Sequence, residues 1–244
     1  MHLVEYTRRL LARHAPDTRS GVPDEAVSLP IVQAGHPALR RPAHDAHDRL
    51  PSDLLGALLR SMAVTMRKAP GVGLAAPQVA VPLRMFVAED RVPAPAEGEP
   101  ADPEDDLLER RPLPLRAFLD PSYEILDEER VHAFEGCLSV DGWSSIVPRA
   151  RRIRFRATEV LGDGTLRDVD EQHRGWTARI LQHETDHLAG ALCHDRAVPR
   201  SFVLSRYTAR YDDLTDAVRE LGLTGDVTRL GHGEVVLPAP TTDR

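Results

Sequence analysis

Gln182-His183-Glu184-Thr185-Asp186-His187-Leu188 is the stretch on which the reading of this chain turns. Two histidines four residues apart on a helix lie one turn from each other on the same face, so both imidazoles reach one ion. Glu184 stands beside the first, placed to act on water without taking a coordination position. Trp176, Ile180 and Leu188 supply the apolar support that buries such a helix, and the pattern places it over residues 176–188. A polar helix surface with two ordinary histidines is the competing reading.

Two imidazoles leave the ligand set one short, because catalytic sites usually hold three protein ligands plus an open position. The chain has only two cysteines, Cys137 and Cys193, and both are candidates. Cys193 falls where the metzincin pattern H-E-x-x-H-x-x-G-x-x-H has its third ligand, with Gly190 at the turn and His194 one residue late. That pattern also needs a methionine turn downstream, and the last of the four methionines is Met85. Cys137 lies far upstream, in Glu135-Gly136-Cys137-Leu138-Ser139. A lone cysteine is more often a packed core residue than a ligand.

Bulk properties bound the class. A chain of 244 residues builds one sizeable core or two small ones, and 41% apolar with 28% charged residues is ordinary for a globular protein. A net charge of −7 argues against nucleic-acid binding through bulk electrostatics. The short basic runs at 149–152 and 206–210 read as solvated surface. Two distant cysteines make no disulfide framework and suit a reducing compartment. No stretch approaches the roughly 18 apolar residues of a membrane span, so no membrane partner is expected. The N-terminus lacks the apolar core of a signal peptide. Cytoplasm is the expectation, with an Arg-rich organellar transit peptide as the alternative.

Residues 3–14 form a weakly apolar helical face, and 17–30 read as a linker broken by Gly21, Pro23 and Pro30. Leu54, Leu55, Leu58, Leu59, Met62 and Met66 recur at helical spacing, with Ser52 as the cap and residues 70–73 as the stop. Strands are expected at 83–88, 118–128, 151–160 and 165–169, the last two joined by a Gly162-Asp163-Gly164 turn. A proline- and acid-rich insertion covers about 91–114, a further helix 201–214 or beyond, and a loose tail follows Gly231. Strands and helices without regular alternation indicate an α+β fold. The expected division is an N-terminal extension over 1–27, a catalytic domain over 28–222 and a tail over 223–244.

Three segments together resemble peptide deformylase. Gly71-Val72-Gly73-Leu74-Ala75-Ala76-Pro77-Gln78 is similar to that family's G-x-G-L-A-A-x-Q, Glu135 to Ser139 to its E-G-C-L-S, and Gln182 to Leu188 to its Q-H-E-x-D-H-L. The order is the family's, and the resemblance spans about residues 28–210. The context Gly175-Trp176-Thr177-Ala178-Arg179-Ile180-Leu181 looks most like the subgroup that includes organellar enzymes.

The resemblance implies antiparallel sheets packed around a central metal-binding helix. It implies Cys137, His183 and His187 as metal ligands, Glu184 as general base and acid, and Gln78 with the Leu138 N–H on the formyl oxygen. Val72, Gly73, Glu135 and Gly136 would bind substrate, Gly73 by pairing with an extended peptide. The substrate would be the formyl-methionyl end of a new protein, cleaved to formate and a free amine. Deformylase-fold cleavage of another N-formyl compound is the alternative. One ferrous ion is the implied cofactor, with zinc, nickel or cobalt also suited to the set. The ribosome is a candidate partner, and the state is monomer or homodimer. Cys193, His173 and His194 are read as structural, surface or supporting residues, and Trp143 and Trp176 as packing, with Trp143 close enough to the second motif to reach a substrate groove. One departure stands out: Asp141 and Ser144 replace a proline and an arginine found near these positions in many bacterial deformylases.

Overall fold

The alternation of side chains along one short strand decides which helix lies on which face of the main sheet. The structure, a computed structural model, describes residues 3–14, 25–93, 108–126, 130–211 and 213–223. In chain order its elements are α1 (Leu3–His14), α2 (Ser52–Lys68), β1 (Gly73–Ala75), β2 (Met85–Asp90), β3 (Leu113–Ile125), β4 (Arg130–Cys137) and β5 (Val140–Ala150). There follow β6 (Arg152–Val160), β7 (Leu166–Arg174), α3 (Gly175–Leu188), β8 (Val203–Leu204) and α4 (Leu214–Leu221). Two sheets result, β1-β2-β3-β6-β7 and β4-β5-β8, with every pairing antiparallel.

Successive strand residues point to opposite faces. Met85 and Val87 of β2, with Leu74 of β1, join the core built by Leu54, Leu58, Met62 and Met66 of α2. Phe86 and Ala88, with Ala75, turn the other way and meet Ala178, Ile180, Leu181 and Leu188 of α3. Three phenylalanines line that second core: Phe118 meets Phe86 and Phe155 edge-on at 5.3 and 5.0 Å. The sheet thus lies between α2 and α3, and β2 is apolar on both sides because both sides are covered. Helix α1 closes the α2 side through Leu11, fully buried. Helix α4 packs Ala217 and Val218 against Ile146 of the smaller sheet.

Helix α3 is anchored by its own polar residues. Gln182 spans the end of β5, its Oε1 accepting from the Ala150 N–H at 3.1 Å and its Nε2 donating to the Ala150 carbonyl at 2.9 Å. Gly190, at φ +80°, turns the chain away after the helix, where a Cβ would press on the Arg40 backbone at 2.8 Å.

The α+β expectation holds, as do the two long helices and the turn at 162–164. Several details differ. Ser52 is the first helical residue, not the cap; Pro51 precedes it with no side-chain cap bond. Among the described residues the helix expected over 201–214 or beyond is divided: Val203 and Leu204 add a short edge strand to β5, Ser205–Arg210 form a 3-10 helix, and α4 begins at Leu214. The hairpin of β4 and β5 was not foreseen, because glycines and serines there mask the strand pattern. The linker expected over 17–30 and the insertion expected over about 91–114 lie partly, and the tail beyond Leu223 wholly, outside the described residues; of the insertion's range 94–107 are not described, and its last residues already belong to β3, which begins at Leu113.

Candidate active site

The β4–β5 hairpin delivers the first chemically important atom. Its register runs from Arg130↔Ala150 to Gly136↔Ser144 and then shifts, so that Cys137 faces Val140. Such an irregularity re-aims a side chain. Here Cys137 Sγ lies 3.5 Å from His187 Nε2. One ligand atom each from Cys137, His183 and His187 falls within 4.8 Å of the others. A thiolate and two imidazoles at that spacing, beside an open cleft lined by Cys137 and His183, fit the donor set of a four-coordinate divalent ion with one position left for water.

Behind the trio lies a buried charge network. His183 Nδ1 is 3.0 Å from Glu135 Oε2, which leaves its other nitrogen for the cluster. Glu135 accepts two bonds from Arg149 at 3.0 Å and one from Arg179 at 2.5 Å. Arg149 also reaches Asp186, which accepts from Tyr123 Oη at 3.2 Å and pairs with Arg196. Burial would raise the Glu135 pKa, but the charges of Arg149 and Arg179 and the His183 bond outweigh it and hold it well below 4.5. Burial would lower His183, yet its bonds to Cys137 and Glu135 lift it well above 6.5. Burial and the neighbouring His183 push His187 down to about 4. A hydrogen bond from the Cys193 thiol favours Cys137 as thiolate, against its burial.

Glu184, 4% exposed, faces the same cleft, and burial raises its pKa. Among the described residues its Oε2 has no hydrogen-bond partner. Gly73 makes room for it, because a Cβ there would collide with the Glu184 carboxylate. Gln78, 1% exposed, is fixed by accepting from the Ala75 N–H at 2.8 Å, which points its Nε2 at Ser139 Oγ (3.3 Å) and Cys137 Sγ (3.7 Å). The cleft, about 680 Å³, is also lined by Val72, Gly136, Leu138 and Ile180. On one side runs β1, the edge strand of its sheet.

Of the residues expected to form the site, all but His187 line one cleft, and His187, 1% exposed, stands behind it beside Cys137. Three readings change. Arg149, taken as solvated surface, is 3% exposed and central to the network. The signal was its place in a strand beside Ile146 and Val147, where a charge must be paired. Trp176, read as packing, lines the cleft and also carries the Arg179 guanidinium at 5.7 Å, and Trp143 lines it too, as its nearness to the second motif allowed. Cys193 is not remote: with Glu135 and His183 it forms a second group of potential ligand atoms within 4.8 Å. The Glu135 carboxylate there is already claimed by two arginines, which makes that set the poorer host for an ion.

The fold and this cleft are those of a hydrolase of the metal-dependent kind. Residues 28–202 match the sequence model of the polypeptide deformylase family. The chain is 45% identical to peptide deformylase 3 of Streptomyces avermitilis over 78% of its own length and 84% of the relative's. It is 36% identical to the human mitochondrial peptide deformylase, over 80% of the chain and 78% of the relative. Among solved structures, a class I type b peptide deformylase of Acinetobacter baumannii matches with a TM-score of 0.58 at 29% identity, covering 70% of this chain and 99% of that one. The same enzyme with Met-Ala-Ser bound matches at 0.56 and 31%, with the same coverage. The chain belongs to the polypeptide deformylase family. Its activity is the family's, hydrolytic removal of the formyl group from newly made peptides.

Proposed function

We propose that Cys137, His183 and His187 hold one divalent ion, and that Glu184 moves the proton as the formyl amide of an N-formyl-methionyl peptide is hydrolysed. The observation that carries this reading is the convergence of those three ligand atoms beside a buried carboxylate whose Oε2 has no hydrogen-bond partner among the described residues. Such an ion, when bound, supplies Lewis acidity, making water a better nucleophile and polarising the formyl oxygen. Glu184 accepts the proton of the attacking water and returns it to the departing amine, so formyl amide and water become formate and a free N-terminus. Gln78 Nε2 and the Leu138 N–H donate to the formyl oxygen as charge builds there, each contributing about 2–4 kcal/mol. The free edge of β1 at Gly73 pairs with the extended peptide. Val72, Ile180 and Trp176 cover the methionine side chain, and Gly136 keeps the opposite wall low. For Glu135 the reading shifts from substrate contact to orientation of His183, since its carboxylate oxygens are engaged by Arg149, Arg179 and His183.

We assign ferrous iron as the ion, which the thiolate–imidazole set accommodates along with zinc, nickel and cobalt. The two unpaired cysteines suit a reducing, cytoplasmic setting. No described helix is long and apolar enough to cross a membrane. The nascent chain makes the ribosome the natural meeting place, with the enzyme as monomer or homodimer. Residues 28–222 are taken as the catalytic body, braced by α1 from the extension.

The test is anaerobic purification with metal analysis beside a formate-release assay on formyl-methionyl peptides and other N-formyl amines. Release from the methionyl peptides, with one ion per chain and a loss of about 10²–10⁴ in kcat for Glu184→Gln at full metal content, is expected. Release only from other N-formyl amines, or undiminished turnover in Glu184→Gln, would overturn it.

A further inference from the structure

A side chain outside all three motifs ties down the turn that follows Cys137. Residues 27–34 are pinned to α2 as they run: the Val27 N–H donates to Ser61 Oγ at 3.1 Å and the Leu29 N–H to Thr65 Oγ1 at 2.8 Å. The Val32 N–H then donates to the Gln78 carbonyl at 2.9 Å, and the Ala34 N–H to the Ser139 carbonyl at 2.7 Å. Gln33 stands between those two bonds, so its backbone is held on both sides. Its side-chain amide is engaged at both ends. Nε2 donates to the Leu138 carbonyl at 3.0 Å, and Oε1 accepts from the Asp141 N–H at 3.1 Å. Gln33 thereby spans the turn between β4 and β5 and itself lines the cleft.

That turn carries chemistry. Leu138 joins two peptide units. The first bears the Leu138 N–H, read above as a donor to the formyl oxygen. The second bears the Leu138 carbonyl, which Gln33 engages, and the Ser139 N–H, which donates to Cys137 Sγ at 3.4 Å. The first unit leaves Cys137, the last residue of β4, which is paired with Val140. One side of Leu138 is therefore set by the strand ladder and the other by Gln33, with only two soft dihedrals between the planes. A hydrogen bond at one end of a peptide unit also polarises the N–H at its other end. The Val32 bond to the Gln78 carbonyl places the second formyl-oxygen donor in the same frame.

We propose that Gln33 is a positioning residue for deformylation: it fixes the Leu138–Ser139 peptide, and so aims the Leu138 N–H at the formyl oxygen and the Ser139 N–H at the Cys137 sulfur. The proposal rests on the deformylase reading above and adds to it a residue that touches neither the ion nor the formyl group. Its two bonds are exposed and add little to stability. Their effect is geometric, because small misplacements of a donor are costly where charge develops.

The experiment compares wild type, Gln33→Met and Gln33→Glu, each loaded with metal, on formyl-Met-Ala-Ser. Inhibition by the product Met-Ala-Ser measures binding in the absence of a formyl oxygen. Methionine has the length of glutamine and makes neither bond; glutamate keeps an acceptor for the Asp141 N–H and loses the donor to Leu138. Gln33→Met should lose about tenfold in kcat, a part of the roughly 10²–10³ that loss of a whole donor costs. KM and the product Ki should stay within about twofold, with metal content and melting temperature near those of the wild type. Gln33→Glu should fall at least as far in kcat. Hydrogen exchange at the Ser139 and Asp141 amides should quicken in Gln33→Met, independently of turnover. Unchanged kcat in either variant overturns the proposal. So does a rise in KM and Ki with kcat intact, the mark of a direct substrate contact. A fall in kcat that tracks lost metal or a lowered melting temperature overturns it too, as the mark of a merely structural residue. A wild type that releases no formate would instead strike the deformylase reading itself.

Discussion

At the scale of single residues, the two cysteines make the sharpest contrast. Cys137 supplies a sulfur to the histidine pair, whereas Cys193, 1% exposed, groups instead with Glu135 and His183. Cys137→Ala is therefore expected to lose both the ion and formate release, while Cys193→Ala keeps both. Metal analysis and turnover on the two purified variants check this, and the reverse pattern would move the ligand assignment to Cys193. Gly73 carries a second expectation. A methyl group there collides with the Glu184 carboxylate, so Gly73→Ala should retain the ion yet lose at least about tenfold in kcat, since small misplacements of a catalytic group are costly. A Gly73→Ala enzyme with full activity would show that Glu184 tolerates displacement.

At the scale of elements, the network joining β4, β5 and α3 both stabilises the fold and aims His183. Glu135→Gln removes the negative charge shared by Arg149 and Arg179, both nearly buried. Breaking such a network costs about 3–5 kcal/mol, and loss of the partner of a metal-bound histidine weakens metal binding about 10–100-fold. The pH dependence follows from the sign of the shift. Glu135 has a folded pKa well below 4.5, so its contribution is fully present above that value and is lost as pH falls toward the folded one. Urea titrations should show wild type and Glu135→Gln far apart at pH 7 and converging as the solution is acidified below 4.5. A constant gap across that range would mean that the carboxylate charge is not what stabilises the network.

At the scale of the whole molecule, the ion would link the smaller sheet, through Cys137, to the helix on the larger one, through His183 and His187. Binding to the folded state alone stabilises it by about 4 kcal/mol at a thousandfold excess over Kd, on the order of 10 °C in melting temperature for a chain of this size. Calorimetry before and after chelation should show that shift in the wild type and none in Cys137→Ala. An unchanged melting temperature on chelation would separate the ion from the fold.

Much of this was open to a reader of the chain alone. The i, i+4 histidines, the apolar support for their helix, the α+β class and the three motifs are local patterns, and helical and strand periodicities report local geometry directly. The β4–β5 hairpin escaped because Gly136, Gly142, Ser144 and Ser145 dilute the alternation that marks a strand. The helix expected at 201–214 or beyond is interrupted at its start because Val203 and Leu204 are held by pairing with β5, a contact that spacing along the chain does not encode. The seven residues from Gln182 to Leu188 determined by themselves that one helix face carries two imidazoles and a carboxylate. Only the tertiary structure decided that a thiol about fifty residues earlier meets them, that Arg149 lies beneath them rather than in solvent, and that Gln33 ties down the turn after Cys137. The physical reason is the same in each case: sequence spacing governs what a single helix or strand can present, but long-range partners are chosen by burial, strand register and the pairing of buried charge.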